Sequence, residues 1–395
     1  MAASRRSKFP SSASLYRRSH LDSLHISYDR ATDRADDETD PPQAQHLYQW
    51  FFKRIGQIKP ESYEVEPSNT IWWQELDLYV SNKQTGFATG KLVGFDKTSC
   101  SRLQDIFRSR AKGRASDESD NSFLKGLLNT LSDARSSAVA SRGVSFNRDK
   151  YESLGKVIRF MENLDMMIRK MVVDSSEAPN KAAFVNLFER FAYLCELDIS
   201  PGYVKTRKMN VLGTQVTSSP DVQFGKIYEE NGFLVITVDE FKPGQKDEFE
   251  DSESEGCKPP LRTRKRKVTD EEQDEVEERS KKSKVNDEGE ESIKGYGSKL
   301  QGQHGAELLL ELPFTALREF GHQDRVFGFV VQATMVRLTC LRMTKEHLKR
   351  IQRNEDLEVT DNAIIYYTKS YDYLNRPERE ELECVLLTLS YLARI

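Results

Sequence analysis

The sequence predicts a mixed α/β (α+β) fold: a helical N-terminal region, then a core in which helices flank a mixed central sheet. A long charged insert, expected to be disordered, interrupts that core. Three observations lead there. Residues 218–242, SSPDVQFGKIYEENGFLVITVDEFK, read as two strands around a turn, and FLVITV is the continuous apolar run of a strand covered on both faces. Residues 149–173 and 181–195 carry apolar side chains at helical spacing, and a helix-like run from 306 is followed by a β-branched run over 326–343. Between these, residues 243–302 turn abruptly polar and charged.

At 395 residues the chain should hold two domains, or one with large appendages. Apolar content of 37% is low and charged content of 31% is high, so part of the chain cannot build a core. A net charge of −4 leaves nucleic-acid binding to local patches. The five cysteines are scattered without a Cys-x-x-Cys pair, which speaks against a zinc finger and a disulfide framework. No His-x-x-x-His pair, phosphate-binding glycine loop or kinase signature is present. No apolar run approaches the ~20 residues of a membrane helix, so no membrane role is expected.

In chain order, residues 1–42 read as a disordered tail. Its first twenty are rich in Ser and Arg and free of acids, as in a transit peptide or an anion-binding tail. Residues 43–145 read as a helical region. Leu47, Trp50, Phe51 and Ile55 mark a helix over 43–58, residues 70–80 are helix or strand, and 98–110 and 121–140 are further helices. Residues 146–242 and 303–395 form the α/β domain. Leu154, Val157, Ile158, Met161, Leu164, Ile168 and Met171 make one helical stripe, and Phe184, Leu187, Phe188, Phe191 and Cys195 a second after Pro179. Residues 205–217 read as the strand before the hairpin. Pro313 should kink or end the helix from 306, residues 326–343 are a strand pair or one bent strand, and 344–353 are a basic helix. Residues 364–368 read as a short edge strand and 379–395 as a closing helix. Within the 243–302 insert, Arg262, Arg264, Lys265, Arg266 and Lys267 form one basic cluster and Lys281, Lys282 and Lys284 another. Two such clusters resemble a bipartite signal for a nuclear import receptor, giving the nucleus as the expected location, with cytoplasm or mitochondrion as alternatives.

The chemistry concentrates at the open end of the 218–242 hairpin. If Asn231-Gly232 is a two-residue turn, Glu230 pairs with Phe233 and Asp221 lies opposite Lys242. Asp221, Glu240 and Lys242 then share one sheet face, the two carboxylates ~7–8 Å apart at Cβ. Such a pair can reach Mg²⁺, and the ammonium beside them can neutralise a phosphate or help deprotonate water. A turn of odd length would break this parity.

Pro220-Asp221 and Glu240-Phe241-Lys242 resemble the motif of the PD-(D/E)xK nuclease superfamily, with its restriction-endonuclease-like fold, over roughly residues 180–342. The resemblance implies a core of helix, three-stranded meander, helix and strand. It also implies Mg²⁺ (or Mn²⁺) held by Asp221 and Glu240, Lys242 at the attacking water, and hydrolysis of DNA or RNA phosphodiesters. Family members often carry an acid on the helix before the meander, for which Glu189 is nearest, and some a Gln opening the next helix, for which Gln303 is nearest. The alternative is a catalytically inactive nuclease-fold protein that serves as a nuclear interaction or nucleic-acid-binding scaffold.

Overall fold

The computed structural model describes residues 9–30, 92–143, 148–174, 177–197, 206–219, 222–225, 232–239, 287–315 and 324–392. In chain order the helices are α1 (Arg18–Asp22), α2 (Lys97–Ala111), α3 (Glu118–Gly143), α4 (Arg148–Val173), α5 (Lys181–Leu194), α6 (Asp287–Glu311), α7 (Lys345–Arg353) and α8 (Arg376–Leu392). The strands are β1 (Ile26–Arg30), β2 (Arg207–Val211), β3 (Thr214–Ser218), β4 (Val222–Gly225), β5 (Gly232–Asp239), β6 (Arg325–Gln332), β7 (Met335–Arg342), β8 (Ala363–Tyr367) and β9 (Tyr371–Asp372).

Seven strands form one mixed sheet in the order β1-β8-β7-β6-β5-β4, with β9 beside β7. β5 and β6 are parallel, as are β1 and β8; the other pairings are antiparallel. The centre is the β6–β7 hairpin, whose residues are almost all buried because both sheet faces are covered. Alternation assigns the faces. Phe327, Phe329, Val331, Val336, Leu338 and Cys340 pack into a cluster with α2, α3, α4, α5 and α8. Val326, Leu341 and Met343 face a second cluster built from residues 9–26, α6, α7 and the β2–β3 hairpin. The result is three layers, helix on sheet on helix.

Local chemistry explains the main elements. The stripes on α4 and α5 bury the side chains their spacing marks. Asn180 caps α5 by accepting from the Ala183 amide at 3.0 Å, and Thr344 caps α7. Pro313 is the second residue of the 3₁₀ turn Leu312–Phe314 that begins where α6 ends. β6 and β7 meet at a two-residue turn, Ala333-Thr334, with Gln332 opposite Met335. Ala333 has φ +54°, which for a residue with a Cβ costs about 1–2 kcal/mol.

Five expectations change. Residues 9–30 are not a tail: Phe9, Tyr16, Leu21, Leu24 and Ile26 are buried, and β1 is a strand of the main sheet. These apolar residues stand singly among Ser and Arg, at no regular spacing, and pack together as a strap over α6. The helices at 97–143 are not a separate region, because Leu103, Phe107, Leu127 and Leu131 share the cluster of β6 and β7. Residues 205–217 do not lead the meander as one strand. β2 and β3 form their own two-stranded sheet, joined at Leu212-Gly213. β8 is no edge strand, since β1 covers its far side. The charged insert ends before 302: α6 starts at Asp287, and Leu300 and Gln301 are buried. The expected helix at 43–58, the 70–80 element and the basic clusters of the insert lie outside the described residues. Among the described residues, no helix is long and apolar enough to cross a membrane.

The strap crosses α6 at two glycines. A Cβ on Gly302 would come closer than 3.0 Å to the backbone of Arg17, and one on Gly305 would overlap Leu21. Further along the strap, the Ser11 carbonyl accepts from the Thr217 amide of β3 at 2.9 Å.

Candidate functional site

Parallel strands end together, and ligands of open α/β sheets gather at their carboxyl ends. Here that end is reached where Asp239 of β5 pairs with Gln332 of β6. β4 enters at the same end, since Val222 lies opposite Ile236. Pro220-Asp221 directly precedes β4 in the sequence and Glu240-Phe241-Lys242 directly follows β5. Asp221, Glu240 and Lys242 themselves lie outside the described residues.

The hairpin register differs from that of a two-residue turn. Val222 pairs with Ile236, Gln223 with Val235 and Phe224 with Leu234, so even positions meet even ones. Asn231-Gly232 would instead pair even with odd. Gly232 is already in β5, opposite Gly225, and the register shifts beside that pair. Over the three pairs from Val222 to Phe224, the parity of a two-residue Asn231-Gly232 turn does not hold.

A polar network grips the β6–β7 turn beside this end. The Gln104 side-chain amide of α2 donates to Thr334 Oγ1, and to Asp372 Oδ2 at 3.2 Å. Asp372 Oδ1 accepts from the Leu374 amide at 2.9 Å, and the Tyr373 hydroxyl donates to the Ala333 carbonyl at 3.3 Å. Burial pushes the Asp372 carboxyl up to about 6, against donors at Leu374, Thr334 and Gln104 that pull it down.

On the opposite sheet face, α6 turns a polar stripe inward. His304 is fully buried, its Nε2 2.7 Å from Thr339 Oγ1, and burial pushes its pKa down to about 3, so the ring is neutral. Gln303 donates to Glu307 Oε1 at 3.0 Å. The Gln301 carbonyl accepts from the Tyr28 hydroxyl at 2.8 Å, and its side chain accepts from Arg18 at 3.3 Å. Glu307 is buried on α6, and Arg337 is buried on β7 opposite Val330. They add two buried charges to a layer that also holds the buried Arg207–Glu311 pair. Sequence reading missed both. The trace it could have followed is charge set in apolar runs, Glu307 and Glu311 in AELLLE and Arg337 in MVRLTCL.

Glu189 is placed differently. It sits half-buried on α5, where burial raises its pKa and Arg190 opposes the rise. α5 covers one sheet face, with Phe188 edge-on to Phe329, and α6 covers the other. Glu189 and Gln303 therefore stand on helices that the sheet separates. A cavity of about 170 Å³ lies between α4 and α5, with Met166, Met167, Met171, Pro179 and Asn186 in its wall, and holds none of the expected site residues. Among the described residues, no group of three or more His, Cys, Asp or Glu could hold a metal ion. No protein-family model, curated protein or solved structure matches the chain.

Proposed function

We propose that the protein is a metal-dependent nuclease of the PD-(D/E)xK type, hydrolysing phosphodiesters of DNA or RNA, on a restriction-endonuclease-like core. One observation carries the reading. An antiparallel hairpin, β4–β5, is followed by α6, which leads into β6 parallel to β5, and the two halves of the motif flank the hairpin at the carboxyl end of that parallel pair. This supports the later part of the implied order, strand pair, helix and strand, at the end of the sheet where ligands bind, while β2 and β3 stand apart in a sheet of their own.

Carboxylate oxygens are the donors Mg²⁺ or Mn²⁺ takes, so Asp221 and a carboxylate closing β5, Glu240 by the motif, fit such an ion. A bound ion supplies Lewis-acid polarisation of the phosphoryl group and a more acidic water. Lys242 contributes a cation that offsets charge building on the phosphate and holds a proton near the attacking oxygen. The test is ion dependence. Full-length protein should cut single- or double-stranded DNA or RNA with Mg²⁺ or Mn²⁺, and not with Ca²⁺, whose looser coordination suits in-line attack poorly. Turnover that persists in a chelator refutes the reading.

The second reading, an inactive nuclear scaffold that binds nucleic acid or protein through the same body, is favoured by the even-to-even register of β4 and β5. It predicts partner binding without cleavage. In either reading the basic clusters at 262–267 and 281–284 engage an import receptor and the protein works in the nucleus.

A further inference from the structure

We propose that Ser116 is a phosphorylation site whose phosphate is held by the buried Arg110; this goes beyond the nuclease reading and does not depend on it. The end of α2 builds the site. Gly113 takes φ +71°, its amide donates to the Arg110 carbonyl at 2.8 Å, and the Arg114 amide reaches the Ser109 carbonyl at 3.1 Å. The chain thereby turns back on α2, and Arg110 Nε donates to Ser116 Oγ at 2.8 Å. Lys112, Gly113, Arg114 and Ala115 are exposed and Ser116 is half-buried, so the loop lies open to a modifying enzyme.

Arg110 is only 2% exposed, yet its hydrogen-bond partners are all neutral oxygens. Nη1 donates to the Asp174 and Glu177 carbonyls between α4 and α5, at 2.9 and 3.1 Å. Nη2 is buried and has no hydrogen-bond partner among the described residues. An arginine this deep ordinarily meets a carboxylate or a phosphate. Burial lowers its pKa and Asp120 and Asp174 oppose the fall, and a guanidinium stays charged throughout. Nη2 shares one edge of the guanidinium with Nε. Three other arginines close that edge on both oxygens of a carboxylate: Arg207 on Glu311, Arg169 on Asp165 and Arg325 on Asp324. At Arg110 the edge is half filled, by one hydroxyl. A phosphate on Ser116 Oγ carries oxygens one bond further out, where Nη2 can take one, and sets a charge of about −1.5 to −2 beside the start of α3. Acids at that start are already engaged. Asp117 Oδ1 accepts from the Asp120 amide at 2.8 Å, and Asp120 stands 3.6 Å from Arg102 of α2. In the modification, Ser116 Oγ attacks the terminal phosphorus of a nucleoside triphosphate held by a serine kinase. The Oγ–P bond forms as the bond to the nucleoside diphosphate breaks, and the hydroxyl proton passes to the kinase's base.

The experiment has two arms. In the first, full-length protein made in eukaryotic cells under phosphatase inhibition is digested and its phosphopeptides are read by mass spectrometry. Phosphate on Ser116 is expected, and its absence overturns the proposal. In the second, full-length protein with phosphoserine installed at position 116 is titrated by phosphorus NMR, beside the same protein carrying Arg110→Lys. Circular dichroism checks that both are folded. Lysine keeps the charge but loses the two-pronged edge. With Arg110 the phosphate should titrate about one pH unit below its ordinary value near 6, and Arg110→Lys should restore at least about half of that difference. Hydrogen exchange over residues 112–117 should slow at least about fivefold on phosphorylation, a readout that needs no variant to fold. A phosphate that titrates at its ordinary value or above, equal titration with Arg and Lys at 110, or unchanged exchange overturns the grip of Arg110 on Ser116.

Discussion

Replacing Gly302 by Ala tests the packing of the N-terminal strap on α6, because two effects of opposite sign meet there. Within a helix the change ordinarily gains about 1 kcal/mol from propensity. At Gly302 the added Cβ would come closer than 3.0 Å to the N, Cα and C atoms of Arg17, and backbone cannot swing aside as the end of a flexible side chain can. Overpacking of that kind costs about 1–3 kcal/mol. If the strap lifts instead, Tyr16, Leu21 and Leu24 lose burial worth roughly 1.5–3 kcal/mol for each leucine-sized side chain. Sterics should therefore win, and Gly302→Ala should destabilise by roughly 1–3 kcal/mol. Gly126, inside α3, has nothing within 4 Å of its would-be Cβ. Gly126→Ala should stabilise by about 0.5–1 kcal/mol. Urea unfolding of the two variants beside wild type gives both signs, and trypsin should cut sooner after Arg17 and Arg18 in Gly302→Ala. A Gly302→Ala protein as stable as Gly126→Ala refutes the strap's placement across the helix.

Further outcomes follow from buried charge and from the insert. The guanidinium of Arg207 holds Glu311 through two hydrogen bonds of 2.8 Å, both residues buried, so Glu311→Gln should cost about 3–5 kcal/mol. The double variant Arg207→Met/Glu311→Leu should cost less than Glu311→Gln alone, which a double-mutant cycle in urea will show. Asp372 titrates near 6 in the folded protein against an ordinary 3.8. Between those values the folded state keeps a proton the unfolded state has released, so stability falls as pH rises through the window and stays lower above it. The effect is on the order of 2–3 kcal/mol. Asp372→Asn should flatten that slope in unfolding midpoints measured from pH 4 to 7. Neutralising the basic residues at 262–267 and 281–284 together should leave a fluorescently tagged protein in the cytoplasm; unchanged nuclear signal counts against the import reading.

Much of the architecture was legible where one physical signal dominated. The stripes over 149–173 and 181–195 had helical period and became α4 and α5. The β-branched run at 326–343 became the central hairpin, because residues buried on both faces read as continuous apolar sequence. The strap escaped notice because Phe9, Ala13, Tyr16, Leu21 and Leu24 belong to no regular period. Each packs against α6, its neighbours or β2–β3, partners about 200 to 300 residues away in sequence. The hairpin register escaped because Asn-Gly is a strong local turn signal, while Gly232 already belongs to β5, opposite Gly225 of β4. At the candidate site, composition and spacing picked out the motif but not the pairing of β4 along β5, which a register shift beside Gly225 changes. Glu307 and Arg337 left only a faint trace, a charge within an apolar run, since burial is fixed only by tertiary neighbours.

The central claim is that the carboxyl end of β5 and β6 is the seat of phosphodiester hydrolysis. The most direct test is single-turnover cleavage of end-labelled DNA and RNA by full-length protein with Mg²⁺, beside Asp221→Asn at equal concentration. The account predicts cleavage by the wild type and a loss of at least about a hundredfold in Asp221→Asn, the scale of several kcal/mol of lost transition-state stabilisation. Equal cleavage by the two proteins, or none by the wild type on any substrate, contradicts it.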